Sequence, residues 1–139
     1  MTGASLTPAQ TRRIQKAIAS VPYAHLLGIE LDDIAEGVAT LGLSVRKELK
    51  QNHGVVHGGA IASLIDTAMA LAIITRLAPR EKVTTVDLTV SYLRALTKGR
   101  ITATAKVVRA GRRLIVVSAE VFREDGTLAA TALSTYIKL

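Results

Sequence analysis

The stretch QNHGVVHGGAIASLID, residues 51–66, decides the fold expected for this chain. It joins a glycine-rich turn to the start of an apolar helix and places one carboxylate, Asp66, within that helix. The first N–H groups of a helix lack intrahelical acceptors, which suits them to bind an oxyanion or another anion. A carboxylate among apolar residues is costly to bury unless it has a chemical role. The turn and the carboxylate together indicate a reaction site.

The sequence around this stretch predicts one long buried helix and six strands. Residues 58–77 are apolar almost all round, which is typical of a helix covered on every side. An N-terminal helix is expected from Thr7 and Pro8 to about residue 20, because threonine is a good N-cap and proline suits the first helical position. Residues 23–31 are expected to form a short turn that enters the first strand. Alternating hydrophobicity and turn residues predict strands near 28–35, 38–46, 83–93, 100–109, 112–123 and 127–138.

This order of elements favours an α+β fold in which a curved antiparallel sheet of about six strands wraps around the central helix, with the last four strands as a meander. Edge strands are expected to pair between subunits. The length of 139 residues fits one domain over 1–139, with an N-terminal helical extension at 1–21 and a core at 22–139. A membrane span at 58–77 is disfavoured, because Asp66 lies in its middle and strands follow.

Composition narrows the function classes. The absence of cysteine excludes disulfides, thiolate zinc sites and a cysteine nucleophile. The net charge of +7 favours an anionic ligand, but only 3% of residues are aromatic, too few to stack single-stranded nucleic acid. A phosphorylated small molecule is therefore preferred. Three histidines at unrelated spacings make a poor metal site. The first twenty residues have no apolar core of the signal-peptide kind, so a cytoplasmic location is expected.

Gly58 and Asp66 each have a possible functional role and a possible structural role. The Gly58 N–H can hold an oxyanion, although a Gly-Gly pair can also serve turn geometry alone. Asp66 can act as general base or nucleophile, although a buried aspartate can also tie down a loop. A helix rises about 1.5 Å per residue, so the two groups lie about 12 Å apart on one helix. If both act on one carbon, they come from different chains, and a homodimer with two shared sites is predicted.

The pattern Gln51-x-x-Gly54-x-x-His57-Gly58-Gly59-x4-Leu64-x-Asp66 resembles the signature of hotdog-fold thioesterases of the PaaI-like, 4-hydroxybenzoyl-CoA thioesterase type. The resemblance extends over residues 22–139 and includes the segments LLGIEL, TTVDLTVSYLR and RAGRRL. It implies the hotdog fold and hydrolysis of an acyl-CoA thioester. It also implies no cofactor, since coenzyme A is part of the substrate.

The same resemblance assigns roles to individual residues. Gln51 is implied to orient the thioester or the attacking water, and His57 to cap and hold the turn. A shift of one residue would make Asn52 the active amide, but Gln51 has the family's spacing to Gly54. Thr85 is implied to position water beside the carboxylate, and the alternation of its strand places it on the polar face. A purely β-favouring role for Thr85 remains the alternative.

Further residues are expected to contact the substrate. Arginine forks suit the phosphates of coenzyme A. Ser63 and Thr67 lie close to Asp66 on the helix, where they could hydrogen-bond it. His25 is a weaker candidate for the acyl pocket. The predicted substrate-binding residues are Asn52, Gly59, Ser63, Arg94, Arg112 and Arg113, with Arg109 beside them.

Several alternatives stay open at this point. The same fold can serve as a non-catalytic acyl-CoA sensor, although mere binding does not need a buried carboxylate. A hydratase or dehydratase would pair an acid with a histidine, and no such pair is evident within one chain. The sequence leaves open an aryl or a medium aliphatic acyl group, coenzyme A or acyl carrier protein as carrier, and a dimer or a dimer of dimers.

Overall fold

The computed structural model describes residues 3–139, so residues 1 and 2 of the predicted extension lie outside the described residues. Two N-terminal helices precede two strands, a long helix and four further strands. Their bounds are α1 Pro8–Ala19, α2 Pro22–Leu27, β1 Glu30–Ala35, β2 Val38–Ser44, α3 Gly58–Ile74, β3 Val83–Tyr92, β4 Arg100–Ala110, β5 Leu114–Phe122 and β6 Leu128–Lys138. Within residues 3–139, no helix combines the length and hydropathy needed to cross a bilayer.

The six strands form one antiparallel sheet in the spatial order β1-β2-β4-β5-β6-β3, and the sheet curves around α3. The buried side of α3 meets apolar residues of the inner sheet face, with Leu64 of the helix and Val117 of the sheet both fully buried. Burying one such side chain contributes roughly 1.5–3 kcal/mol. The predicted α+β architecture of a curved sheet around one central helix is confirmed.

The first helix begins as predicted. Thr7 caps α1 by accepting a hydrogen bond from the Gln10 N–H, and the Gln10 side chain returns one to the Thr7 N–H. The expected turn over residues 23–31 is wrong in its first half, because α2 forms there. Pro22 occupies the first turn of α2, and Gly28 ends it in the left-handed conformation with φ of 79°.

The predicted four-strand meander is also wrong in one respect. Only β4, β5 and β6 follow one another in space, whereas β3 pairs with β6 at the edge of the sheet. The reason is that β2 already occupies the other side of β4. The connection from β3 to β4 therefore crosses the start of α3, where buried Leu96 accepts a hydrogen bond from the Val56 N–H at 2.7 Å. This crossing sets the end of β3 against the first turn of α3.

Candidate active site

The first residue of α3, Gly58, has a free N–H group. His57 is the N-cap, and its Nδ1 accepts a hydrogen bond from the Gly59 N–H at 2.8 Å. The His57 carbonyl accepts the Ala60 N–H at 2.9 Å, and the His57 N–H donates to the Leu49 carbonyl at 2.8 Å. The N–H of Gly58 finds no acceptor among residues 3–139. This donor lies at the positive end of the helix dipole, where an anion is stabilised.

A cavity of about 320 Å³ opens beside this donor. It brings together three of the predicted residues, namely Gln51, Gly58 and Arg94. Asn52 is exposed in the turn and does not line the cavity. The remaining lining residues are Val55, Val56, Ile61, Tyr92, Leu93, Ala95 and Leu96.

The side chains of Gln51 and Arg94 already form hydrogen bonds within the chain. The Gln51 Oε1 accepts the His53 N–H at 2.5 Å, which holds the amide against the turn. The Arg94 guanidinium donates to the Leu128 carbonyl at 2.7 Å. The Gln51 amide and the Arg94 guanidinium are the predicted polar side chains that border this cavity with the Gly58 N–H.

Tyr92 is a member of this cavity that the sequence interpretation missed. Its hydroxyl donates to the Gly58 carbonyl at 2.9 Å, and its ring covers the glycine closely enough that a Cβ there would lie 3.2 Å from the ring Cζ. Glycine at position 58 therefore has a packing reason of its own, independent of any role of its N–H. In the sequence, Tyr92 is one of several apolar residues in an alternating strand, and nothing there indicates that it meets the helix terminus.

A second polar cluster surrounds Asp66, farther along α3. The Thr85 Oγ1 donates to Asp66 Oδ1 at 2.9 Å. The Tyr136 hydroxyl lies 2.5 Å from the same carboxylate oxygen and 2.9 Å from the Asp66 carbonyl oxygen. Burial first, and the hydrogen bond to Asp66 second, raise the pKa of Tyr136 far above its ordinary value. Tyr136 was not among the predicted site residues.

A β-bulge places Thr85 against the helix. Thr85 pairs with Tyr136 and Asp87 with Thr135, so Val86 is an extra residue without a cross-strand partner. An extra residue reverses the alternation of the strand, so Thr85 and Leu88 both face the core side while Val86 is 57% exposed. The prediction that Thr85 lies on the polar face of its strand is therefore wrong.

Ser63 and Thr67 do not bind Asp66, contrary to expectation. The Ser63 Oγ donates to the Gly59 carbonyl at 2.8 Å and lies 2.9 Å from the Tyr23 hydroxyl. The Thr67 Oγ1 donates to the Ser63 carbonyl at 2.7 Å. Both hydroxyls thus bond the carbonyl four residues earlier, which is common for serine and threonine within helices.

The basic residues do not form one rim within a chain. Arg112 and Arg113 lie in the β4–β5 turn, where the Arg113 carbonyl accepts the Lys138 N–H beside the start of β3. Arg94 and Gly58 lie at the other end of β3, about 30 Å away for a ten-residue strand. Arg109 is on the same end as Arg112, and His25 lines a separate cavity between the N-terminal helices and β1. Among residues 3–139, no three His, Asp or Glu side chains group together as metal ligands would.

Helix α3 therefore carries two separate groups of polar atoms. One contains the Gly58 N–H with Gln51 and Arg94, and the other contains Asp66 with its two hydroxyl donors. Eight residues of helix separate Gly58 from Asp66, which corresponds to about 12 Å.

Comparisons with known proteins agree with this fold. Residues 53–130 match the thioesterase superfamily, and this range includes Gly58, Asp66 and Thr85. The medium/long-chain acyl-CoA thioesterase YigI of Salmonella typhimurium is 30% identical over 132 residues, covering 84% of this chain and 85% of that protein.

Solved structures extend the match to nearly the whole chain. The conserved protein PA5202 of Pseudomonas aeruginosa is 33% identical with a TM-score of 0.83, covering 92% of this chain and 98% of that one. The PaaI protein of the Escherichia coli phenylacetic acid degradation operon is 25% identical with a TM-score of 0.89, covering 97% of this chain and 96% of that one. The chain thus belongs to the thioesterase superfamily and has the hotdog fold of its PaaI-like members.

Proposed function

We propose that this protein is an acyl-CoA thioesterase that hydrolyses its substrate to a free carboxylic acid and coenzyme A. In this proposal, Asp66 of one subunit and the Gly58 N–H of the other act on the same thioester. The observation that carries the proposal is the free Gly58 N–H at the start of α3, on the same helix as a carboxylate held by two hydroxyl donors.

The Gly58 N–H is the proposed oxyanion donor. It has no competing acceptor among the described residues, and the helix dipole adds to its attraction for negative charge. A fixed donor of this kind lowers the barrier because it binds the tetrahedral oxyanion more strongly than the ground-state carbonyl. Gln51 lines the same cavity and orients the thioester or the attacking water.

Asp66 is the proposed catalytic carboxylate, by one of two routes. As a general base it takes a proton from water, whose oxygen then attacks the thioester carbon and expels the coenzyme A thiolate. As a nucleophile it attacks the carbon itself and expels the coenzyme A thiolate to form a mixed anhydride, which water then hydrolyses to the free acid and Asp66. A single turnover in oxygen-18 water distinguishes the routes, because label recovered in Asp66 requires the anhydride.

The edge strand β3 is the proposed dimer interface. It pairs with β6 on one side, while Val86 and Tyr92 within it and Leu93 directly after it are each at least half exposed. Antiparallel pairing of two β3 strands would continue the sheet and set the two α3 helices antiparallel, with each Asp66 near the other chain's Gly58. A dimer of dimers and a cytoplasmic location remain predictions.

The same arrangement accounts for the separated arginines. In an antiparallel β3 pair, the start of β3 in one chain lies beside the end of β3 in the other. Arg112 and Arg113 of one subunit then lie toward the same end of the assembly as Arg94 and Gly58 of its partner. We assign these arginines to the phosphates of coenzyme A, which guanidinium forks bind in pairs.

A thiol-release assay on short, medium and long aliphatic and aryl acyl-CoAs tests the proposal. The relative that hydrolyses medium- and long-chain acyl-CoA supports including the longer chains. The wild type is expected to turn over at least one class, and Asp66→Asn to lose at least about a hundredfold in kcat. Asp33→Asn is the control, because this exposed carboxylate lies in β1 at the far edge of the sheet.

Two results would contradict the proposal. Normal kcat in Asp66→Asn would remove the catalytic assignment. Binding of every acyl-CoA without thiol release would instead indicate a non-catalytic acyl-CoA sensor.

A further inference from the structure

Both hydrogen bonds to the Asp66 carboxylate end on the same oxygen. The Thr85 Oγ1 lies 2.9 Å and the Tyr136 hydroxyl 2.5 Å from Oδ1. Within residues 3–139, no donor reaches Oδ2 and no cation forms an ion pair with this carboxylate. The two carboxylate oxygens are therefore chemically unequal in the folded chain.

We propose that Tyr136 is a positioning residue which, with Thr85, fixes Oδ1 of Asp66 so that Oδ2 is the oxygen that takes the proton from water or attacks the thioester. This inference rests on the proposed hydrolysis, because it names how the catalytic carboxylate is oriented.

Three elements meet at this carboxylate. Asp66 comes from α3, Thr85 from β3 and Tyr136 from β6, and Thr85 is the direct cross-strand partner of Tyr136. Backbone hydrogen bonds between neighbouring strands fix the spacing of such partners. The two donors consequently approach Oδ1 as a preformed pair and hold the carboxylate from one side.

The Tyr136 hydroxyl has a role that packing alone does not explain. The residue is only 2% exposed, and a phenylalanine ring would fill the same volume. Its hydroxyl contacts both Oδ1 and the main-chain carbonyl oxygen of Asp66, so it restrains the side chain and the helix together. Its raised pKa keeps the phenol protonated, and hence a donor, over the whole range of a hydrolysis assay.

The donors are also neutral. The groups that face the carboxylate are the hydroxyls of Thr85 from β3 and Tyr136 from β6, and the residues of α3 contribute none. Neutral donors orient a carboxylate without cancelling its charge as an arginine or lysine would. An oriented but unneutralised carboxylate is what either a general base or a nucleophile needs.

The test is the kinetics of Tyr136→Phe. Loss of a hydrogen bond to a charged group is expected to lower kcat about ten- to a hundredfold, with KM changed by less than about twofold. The acid limb of the pH profile of kcat/KM is expected to move to higher pH, because the ionised carboxylate has lost a donor. A purely structural role would not move that limb.

Ser134→Ala is the matched control. Ser134 is on the same strand, is 1% exposed and donates its hydroxyl to the Asp87 carbonyl, so its removal costs a buried hydrogen bond away from Asp66. This variant is expected to lose stability but to keep the wild-type kcat and acid limb. Thr85→Val is a second probe, because it removes the other donor to Oδ1 and should shift the acid limb in the same direction.

The outcomes separate this inference from the proposed function. If Asp66→Asn is inactive while Tyr136→Phe and Thr85→Val keep the wild-type kcat and acid limb, only the positioning role is overturned. An equal loss of kcat in Ser134→Ala would overturn it as well. If Asp66→Asn is itself fully active, the proposed catalytic carboxylate fails, whatever Tyr136→Phe shows.

Discussion

At position 58, the proposed mechanism and the packing both depend on glycine. Its lack of a side chain admits the Tyr92 ring, and its main-chain N–H is left free because His57 satisfies the next donor instead. A cap that took the Gly58 N–H would stabilise the helix equally well but would occupy the proposed oxyanion donor. Because the cap binds the Gly59 N–H and not the Gly58 N–H, the Gly58 donor stays available for a ligand.

Gly58→Pro tests the free N–H directly. Proline is favoured in the first turn of a helix, and the ψ of 134° at His57 suits a residue before proline, so α3 should form. The variant lacks the N–H donor and also adds a Cβ beside the Tyr92 ring, and kcat is expected to fall about a hundred- to a thousandfold in the thiol-release assay.

Gly58→Ala is the paired control for that prediction. Its added Cβ meets the same Tyr92 ring at 3.2 Å, but it keeps the N–H. If the alanine variant loses as much kcat as the proline variant, crowding against Tyr92 explains the loss and the oxyanion role of the N–H is contradicted.

At the scale of elements, the sequence predicts those helices and helix starts that depend only on residues near one another in the chain. The apolar run after the Gly-Gly turn indicates the buried helix, and Thr7-Pro8 indicates the start of α1, because both depend on near neighbours. The position of β3 beside β6 is not predictable in this way. It depends on β2 having taken the other side of β4, a contact between residues far apart in the chain.

The candidate site shows the same difference between what local sequence predicts and what long-range contacts determine. Asp66 and Gly58 are recognisable from residue type and spacing, but the partners of Asp66 are not. The bulge at Val86 reverses the face of Thr85, and no glycine or proline marks it in the sequence. Tyr136 lies in an ordinary alternating strand, and only the assembled sheet shows that it faces Asp66.

The contact between β6 and α3 also predicts a pH dependence of stability. The folded chain raises the pKa of Tyr136 above its ordinary value of 10.0, chiefly by burial. Above pH 10 the unfolded chain loses this proton while the folded chain keeps it, so unfolding becomes easier as the pH rises. Below pH 10 this contribution to stability is fully present and constant.

Denaturant unfolding of the wild type and Tyr136→Phe from pH 8 to 11 measures this effect. The wild type is expected to lose up to about 1.4 kcal/mol more per pH unit above pH 10 than the variant, since one proton is involved. Other titrating groups are common to both proteins and cancel in the comparison. Parallel curves for the two proteins would show that the phenol titrates alike in the folded and unfolded chains.

For the whole molecule, the proposed function requires that each chain hold two half-sites, because Gly58 and Asp66 of one chain lie about 12 Å apart. Mixing two inactive variants tests whether neighbouring chains complete each other. In a mixed dimer of Asp66→Asn with Gly58→Pro, one site combines the intact Asp66 of the second chain with the intact Gly58 of the first. The other site combines both defects and stays inactive.

Equal amounts of the two variants, unfolded together and refolded, should therefore recover about a quarter of the wild-type activity. Half of the dimers are mixed, and each mixed dimer has one working site of two. In the control, the two variants are refolded separately, mixed and assayed immediately. This mixture should stay inactive. If Gly58 and Asp66 instead act within one chain, every chain in the mixture carries a defect, and co-refolding should recover nothing beyond the control.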